Sequence, residues 1–186
     1  MSSRIAVDLQ NGDKWFCLEQ LPLDTPPTGF SCSVTEYNDY LFKEAIRSQK
    51  DHIAFTWILR ERSSGAIIAY MSLIADAIRL SLSEKELHKI NYPFNTLPAI
   101  KIAKLAVSQP AQDKYKGIGS YMINIALLLA RICNRQLLAA RFLTVDADVE
   151  HDKGVLAFYE KNGFASNAEL LNKNRKTISM RKDLYD

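Results

Sequence analysis

Gly117 and Gly119 stand two residues apart at the head of an apolar helical pattern, with Lys114 and Lys116 just before them in "DKYKGIGSYMINIALLLA", residues 113 to 130. A glycine-rich turn that opens a helix aims unpaired backbone N–H groups and the positive end of the helix dipole at one point. Such a point binds phosphate, and glycine lets the ligand come close to the backbone. The candidate positions are Lys114, Tyr115, Lys116, Gly117, Ile118, Gly119 and Ser120. Two glycines alone also fit a loop that only needs their dihedrals, and neither GxxxxGK[ST] nor GxGxxG after the first strand is present.

The elements that must position this turn are readable from periodicity. Residues 34 to 49 read as a helix that Thr35 can cap, with Tyr37, Tyr40, Leu41, Ala45 and Ile46 on one face. Residues 52 to 61 place Ile53, Phe55, Trp57 and Leu59 on one face of a strand, and "RSSG" turns the chain into a second strand, 66 to 75. A short helix is expected within 79 to 92. In the strand from 98 to 107, Ile100 and Ile102 share one parity, while Leu105 and Val107 share the other. That predicts a bulge near Ala103 and Lys104.

Further on, residues 117 to 134 form a helix, 140 to 147 a nearly continuous apolar strand, and 153 to 164 a helix stopped by Asn162 and Gly163. Residues 175 to 184 alternate as a last strand. The order is that of an α+β fold around a mixed sheet.

Composition narrows the class. The chain has 186 residues, 47% hydrophobic and 24% charged, with net charge +3, and fits one domain spanning 1–186. A mild basic excess permits an anionic cofactor or a polyanionic partner without requiring nucleic acid. The first residues do not read as a secretory signal, and the longest apolar run, 121 to 130, is too short for a bilayer, so neither a leader nor a membrane partner is expected. Cys17, Cys32 and Cys133 are odd in number and lack CxxC spacing, the pattern of a cytoplasmic protein with free thiols. No cluster of His, Cys and carboxylates has metal-ligand spacing. His52 and His88 read as surface residues.

Taken together, "IAKLAVSQPAQDKYKGIGSYMI" and "FLTVDADVEHDKGVLAFYEKNGF" resemble the GNAT superfamily of acetyl-CoA-dependent N-acyltransferases, over roughly residues 52 to 182. The resemblance implies a mixed, mostly antiparallel sheet splayed near its middle and flanked by helices. It implies acetyl-CoA as cosubstrate, its pantetheine amides on the backbone of Leu105, Ala106 and Val107, and its pyrophosphate on the turn from Lys114 to Ser120. It also implies that Tyr159 directs its hydroxyl at the departing thiolate, with Phe158 in the core. The first loop position, usually Arg or Gln, is Lys114, and Asp152 stands where the family has an Asn whose amide could donate.

Acyl transfer to an amine needs the amine neutral, the carbonyl polarised and the thiolate protonated. Asp146, Glu150 and His151 follow the strand near which the amine should enter, and none is singled out as base. "GFSCSVTEYNDYLFKEA" is similar to the segment entering the first helix of a subgroup of bacterial toxins that acetylate the amino acid on charged tRNA. A tRNA partner needs a cationic surface, for which Lys101, Lys104, Lys173, Arg175, Lys176, Arg181 and Lys182 are the candidates. Against this stand transfer to another macromolecular or small-molecule amine acceptor, a catalytically silent CoA-binding module, and an interaction protein that reuses the fold. The acceptor pocket should come from residues 1 to 51 and 76 to 98, and dimers are common in families of this kind.

Overall fold

The computed structural model describes residues 4–167 and 176–185. Its contacts gather into two compact units, Met1–Ile74 with Ala103–Ala126, and Ala75–Ile102 with Leu127–Asp186. The first unit holds β1 (Ile5–Ala6), α1 (Gly12–Trp15), β2 (Phe16–Gln20), α2 (Thr35–Asp39), a π turn (Tyr40–Glu44), α3 (Ala45–Lys50) and β3 (Phe55–Glu61). It also holds the start of β4 (Ile67–Arg79), the end of β5 (Thr96–Val107), α5 (Gln109–Lys114), β6 (Tyr115–Lys116) and the start of α6 (Ile118–Gln136). The second unit holds the rest of β4, β5 and α6, with α4 (Leu82–Leu87), β7 (Phe142–Asp148), α7 (Val155–Lys161), β8 (Ala165–Ser166) and β9 (Thr177–Asp183).

The main sheet has seven strands in the order β2-β3-β4-β5-β7-β9-β8, and β1 pairs with β6 in a separate two-stranded sheet. β2 with β3, β3 with β4, β7 with β9 and β8 with β9 are antiparallel. β5 and β7 are parallel from Ala99↔Phe142 to Ile102↔Val145, where their ladder ends. This is the α+β fold expected, a mixed and mostly antiparallel sheet with its break near the middle.

In the first unit Leu21, Phe30, Leu41, Ala45, Ile58, Ile67 and Tyr70 form one buried cluster. Tyr70 is fully buried, with its ring edge-on to Phe30 at 5.3 Å and its hydroxyl donating to the Tyr37 carbonyl at 2.7 Å. Burial pushes its pKa far up, so the phenol stays neutral. Leu41, Ala45 and Gln49 are all buried at four-residue spacing. The π turn offsets the drift an α-helix would build over that spacing. Thr35 does not cap this helix: the cap position is Val34, with no side-chain bond.

The expected inner face of β3 is corrected. Ile53 and Phe55 are exposed and Trp57 is half-buried, whereas Thr56 and Ile58 are fully buried; only Leu59 of the expected face is buried. Polar partners make this possible, because an unpaired hydroxyl would be costly there. Thr56 Oγ1 pairs with Ser72 Oγ at 2.8 Å, and the Gln49 amide accepts from Thr56 N at 3.0 Å and donates to the Leu21 carbonyl at 2.7 Å. The parity change in β5 is also moved. Leu97 and Ala99 are buried, then Ile102 and Ala106, so the phase shifts at Ile100 and Lys101 with the β7 register unbroken. In β3, a register shift lies between Leu59 and Arg60 opposite β4.

In the second unit the expected short helix is α4, held by a complete capping box: Ser81 Oγ accepts from Glu84 N, and Glu84 Oε2 accepts from Ser81 N at 2.8 Å. His88 is not a surface residue. Its Nδ1 lies 3.0 Å from Asp183 Oδ2, and its ring meets Phe142 edge-on at 5.1 Å. Among the described residues, no helix is long and apolar enough to cross a membrane.

Candidate functional site

The glycine turn is built by a local relay. Ser108 ends β5, donating its N–H to the Ile68 carbonyl at 2.8 Å, and its side chain caps α5 by accepting from Ala111 N. The stretch expected as a loop is therefore a short helix followed by β6. β6 runs parallel to β1, Ile5 opposite Tyr115 and Ala6 opposite Lys116, and Val7 N donates to the Lys116 carbonyl at 2.8 Å. Gly117 follows with φ +98°, and a Cβ there would meet the Val7 carbonyl oxygen at 2.7 Å. Only glycine fits both conditions.

α6 starts at Ile118, and its first backbone bond runs from Tyr121 N to the Gly117 carbonyl at 2.9 Å. The N–H groups of Ile118, Gly119 and Ser120 thus lie outside the helical ladder, at the positive end of a 19-residue helix. Of the flanking side chains, Lys116 is exposed, whereas Tyr115 is buried edge-on against Phe16 at 5.0 Å. Leu105 and Val107 are half-buried and Ala106 is buried.

Lys114 is committed elsewhere by its side chain. Its ammonium lies 2.7 Å from Glu61 Oε1, the same oxygen accepts from the Tyr115 hydroxyl, and Ser64 Oγ donates to Glu61 Oε2 at 2.5 Å. The Lys114 bond, then those of Ser64 and Tyr115, pull the Glu61 carboxyl from 4.5 to about 2, against the opposing effect of burial. A lowered folded-state pKa stabilises the fold above pH 4.5, and that contribution disappears as pH falls from 4.5 towards 2. Glu61→Gln is therefore expected to lower Tm at neutral pH and to flatten the acid limb of a Tm-versus-pH curve. Parallel curves for variant and parent would refute this account of Glu61.

In the second unit, α7 carries Tyr159 between two edge-on rings, Phe158 at 5.0 Å and Phe164 at 5.3 Å. The expected division of the aromatic pair is reversed in burial: Tyr159 is 6% exposed, and Phe158 is half-buried. Asp152 Oδ1 accepts from Gly154 N at 2.7 Å and so orders the turn into α7, a task an acceptor-only carboxylate performs well. Asp148, Glu150 and His151 lie close enough to bring one ligand atom each within 4.8 Å of one another, a proximity their sequence spacing did not signal. His151 Nδ1 is 2.8 Å from Asp148 Oδ2, and Glu150 Oε1 is 2.9 Å from the Lys176 ammonium.

A hollow of about 560 Å³ lies wholly within this unit, lined among others by Asp76, Lys101, Thr144, Asp146, Asn167 and Ser179. Lys101 Nζ sits 3.0 Å from Asp146 Oδ2 and 3.7 Å from Asp76 Oδ2, and Thr144 Oγ1 donates to Asp76 at 2.6 Å. Two carboxylates share one ammonium, and Arg79 and Glu84 also line the hollow, so carboxylates and cations stand side by side there. Only Asp146 of this set was singled out as a candidate for chemistry from sequence. The rest comes from β4 (Asp76), β5 (Lys101), β7 (Thr144), β9 (Ser179) and Asn167 after β8, and for the first three a polar residue inside an apolar strand was the available signal.

Among the described residues, the cations expected to form a basic surface have partners within the chain, and Lys176 stays exposed. Arg181 is buried against Glu84 at 2.8 Å, Lys176 pairs with Glu150, and Lys182 donates to the Asn162 carbonyl at 2.7 Å. Lys101 lies between its two aspartates, and Lys104 sits over the Tyr37 ring at 5.0 Å. Lys173 and Arg175 fall outside the described residues.

No protein-family model matches the chain, and no curated protein does. Solved structures do match. A structure of AtaT complexed with acetyl-methionyl-tRNAfMet has TM-score 0.70 and 19% identity over 88% of this chain and 93% of that one. AtaTR bound with AcCoA gives 0.69 and 18% over 90% and 94%, and a tyrosine-to-phenylalanine mutant of KacT gives 0.72 and 18% over 90% and 95%. At these identities the likeness is one of fold, carried over nearly the whole chain.

Proposed function

We propose that the protein is an acetyl-CoA-dependent N-acetyltransferase, acting as one domain over residues 1–186, whose acceptor is the α-amino group of an aminoacyl-tRNA. One observation carries the acyltransferase reading: the Gly117 turn, fixed by β1 and β6, opens α6 with three N–H groups outside the ladder, as a pyrophosphate requires. The choice of acceptor is supported by the near full-length likeness of fold to AtaT complexed with acetyl-methionyl-tRNAfMet. It departs from the broader expectation of any primary amine.

On this reading the backbone of Leu105, Ala106 and Val107 pairs with the pantetheine amides. Gly117, Ile118, Gly119 and Ser120 hold the pyrophosphate, with Lys114, Tyr115 and Lys116 shaping the turn before them. Acetyl-CoA supplies a thioester. The acceptor nitrogen forms the new C–N bond, the C–S bond breaks, the amine proton goes to water, and the Tyr159 hydroxyl donates to the thiolate. The hollow between Asp76 and Asp146 receives the aminoacyl group, its ammonium drawn by the two carboxylates before deprotonation.

The test is thiol release from acetyl-CoA with a total aminoacyl-tRNA pool, with deacylated tRNA, and with small amines and polyamines. Release with the charged pool alone is expected. Release with one small amine alone would replace this acceptor by a metabolic one, and thermal stabilisation by acetyl-CoA without any release would favour a silent module.

A further inference from the structure

An RNA partner needs cations, and of the tail and sheet cations expected to supply them, Lys101, Lys176 and Arg181 are paired with carboxylates within the chain. The first unit has another source. A hollow of about 340 Å³ lies there, lined by Ile5, Lys14, Trp15 and Arg62, with the Lys114 and Glu61 pair and Tyr115 forming its wall. Its volume is at the lower end for small-ligand sites and suits a single nucleotide unit. Three cations face one carboxylate, a net charge of +2, in a chain whose total is +3.

Two features separate this hollow from an ordinary solvated face. Trp15 is 43% exposed at the end of α1, so an indole face is presented to solvent beside the charges. The frame is rigid: Arg62 N donates to the Trp15 carbonyl at 2.8 Å, and Arg62 Nε donates to the Asp13 carbonyl at 2.9 Å. Those bonds fix the guanidinium stem against α1. Among the described residues, neither Lys14 nor Arg62 forms an ion pair with a carboxylate.

A ring to stack on, with two cations beside it, is the chemistry that takes an unpaired base and its phosphates. We propose that this hollow binds one unpaired nucleotide of an RNA strand, the base on Trp15 and the flanking phosphates on Lys14 and Arg62. The inference extends the aminoacyl-tRNA reading, placing part of the RNA contact on the N-terminal segment rather than on the C-terminal tail.

The experiment measures binding of a labelled poly(A) oligoribonucleotide of about a dozen residues by fluorescence anisotropy across a salt series, beside thermal stabilisation by acetyl-CoA. Trp15→Ala should weaken RNA binding roughly tenfold or more, and Trp15→Phe, which keeps a stacking ring, should stay within about threefold of the parent. Replacing Lys14 and Arg62 together by Ala should flatten the salt dependence by roughly 0.7 in log–log slope per cation removed. All three variants should keep the acetyl-CoA stabilisation.

RNA binding by Trp15→Ala equal to the parent overturns the proposal, as does no RNA binding by the parent. Loss of acetyl-CoA stabilisation in Trp15→Ala also overturns it, by assigning the hollow to the nucleotide end of CoA. The acetyltransferase reading stands or falls separately, on whether acetyl-CoA stabilises the parent and releases thiol.

Discussion

Tyr159→Phe is expected to lower turnover about tenfold or more while leaving acetyl-CoA binding almost unchanged. The substitution removes one oxygen and keeps the ring, which Phe158 and Phe164 hold edge-on from two sides. Loss of a single hydroxyl bond costs about 1 kcal/mol, so the variant should fold. The ring is buried, and a donor aimed at a developing thiolate in such surroundings acts more strongly than it would in water. Thiol release under saturating acetyl-CoA and charged tRNA measures the turnover, and the shift in Tm with acetyl-CoA measures the binding. Unchanged turnover would remove Tyr159 from the mechanism and leave it as the core residue its burial also fits. A fall in both quantities together would mean that the hydroxyl holds α7 in place rather than serving the reaction.

What could be read from the sequence divides by the range of the interaction. α6 and the turn before it were legible because glycine spacing and a 3.6-residue apolar period are local. α4 was legible because its capping box spans only Ser81 to Glu84. The face of β3 was misread because Thr56 is buried by a hydroxyl pair with Ser72 and by the Gln49 amide, so an apolar count points to the wrong side. Arg181 in the basic tail was misread for a related reason. It looks like surface charge until the fold buries it against Glu84, whereas Lys176 stays exposed beside Glu150. β1, of two residues, carries no periodic signal, yet its pairing with β6 sets the geometry at Gly117. The candidate phosphate site was thus visible in its glycines, and the strand that shapes it was not.

That pairing makes Gly117→Ala a sharp test of the turn. Alanine there faces two penalties: a backbone at φ +98°, which L-residues rarely adopt, and a methyl group 2.7 Å from the Val7 carbonyl oxygen. The oxygen belongs to backbone next to β1, and Val7 N is already bonded to the Lys116 carbonyl, so moving it away breaks the β1 and β6 pairing. Gly65 supplies the comparison. Its φ is +72°, and nothing lies within 4 Å of its missing Cβ, so Gly65→Ala meets the dihedral penalty alone. Urea denaturation should show Gly65→Ala destabilised by about 1 kcal/mol and Gly117→Ala by about 2–4 kcal/mol. On the proposed function only Gly117→Ala should also lose most of its stabilisation by acetyl-CoA, because the N–H groups that follow it would be re-aimed. Equal destabilisation of the two variants would mean that the N-terminal strand yields freely. The turn would then owe its shape to the glycine alone, and a truncation of residues 1 to 7 should leave acetyl-CoA binding intact.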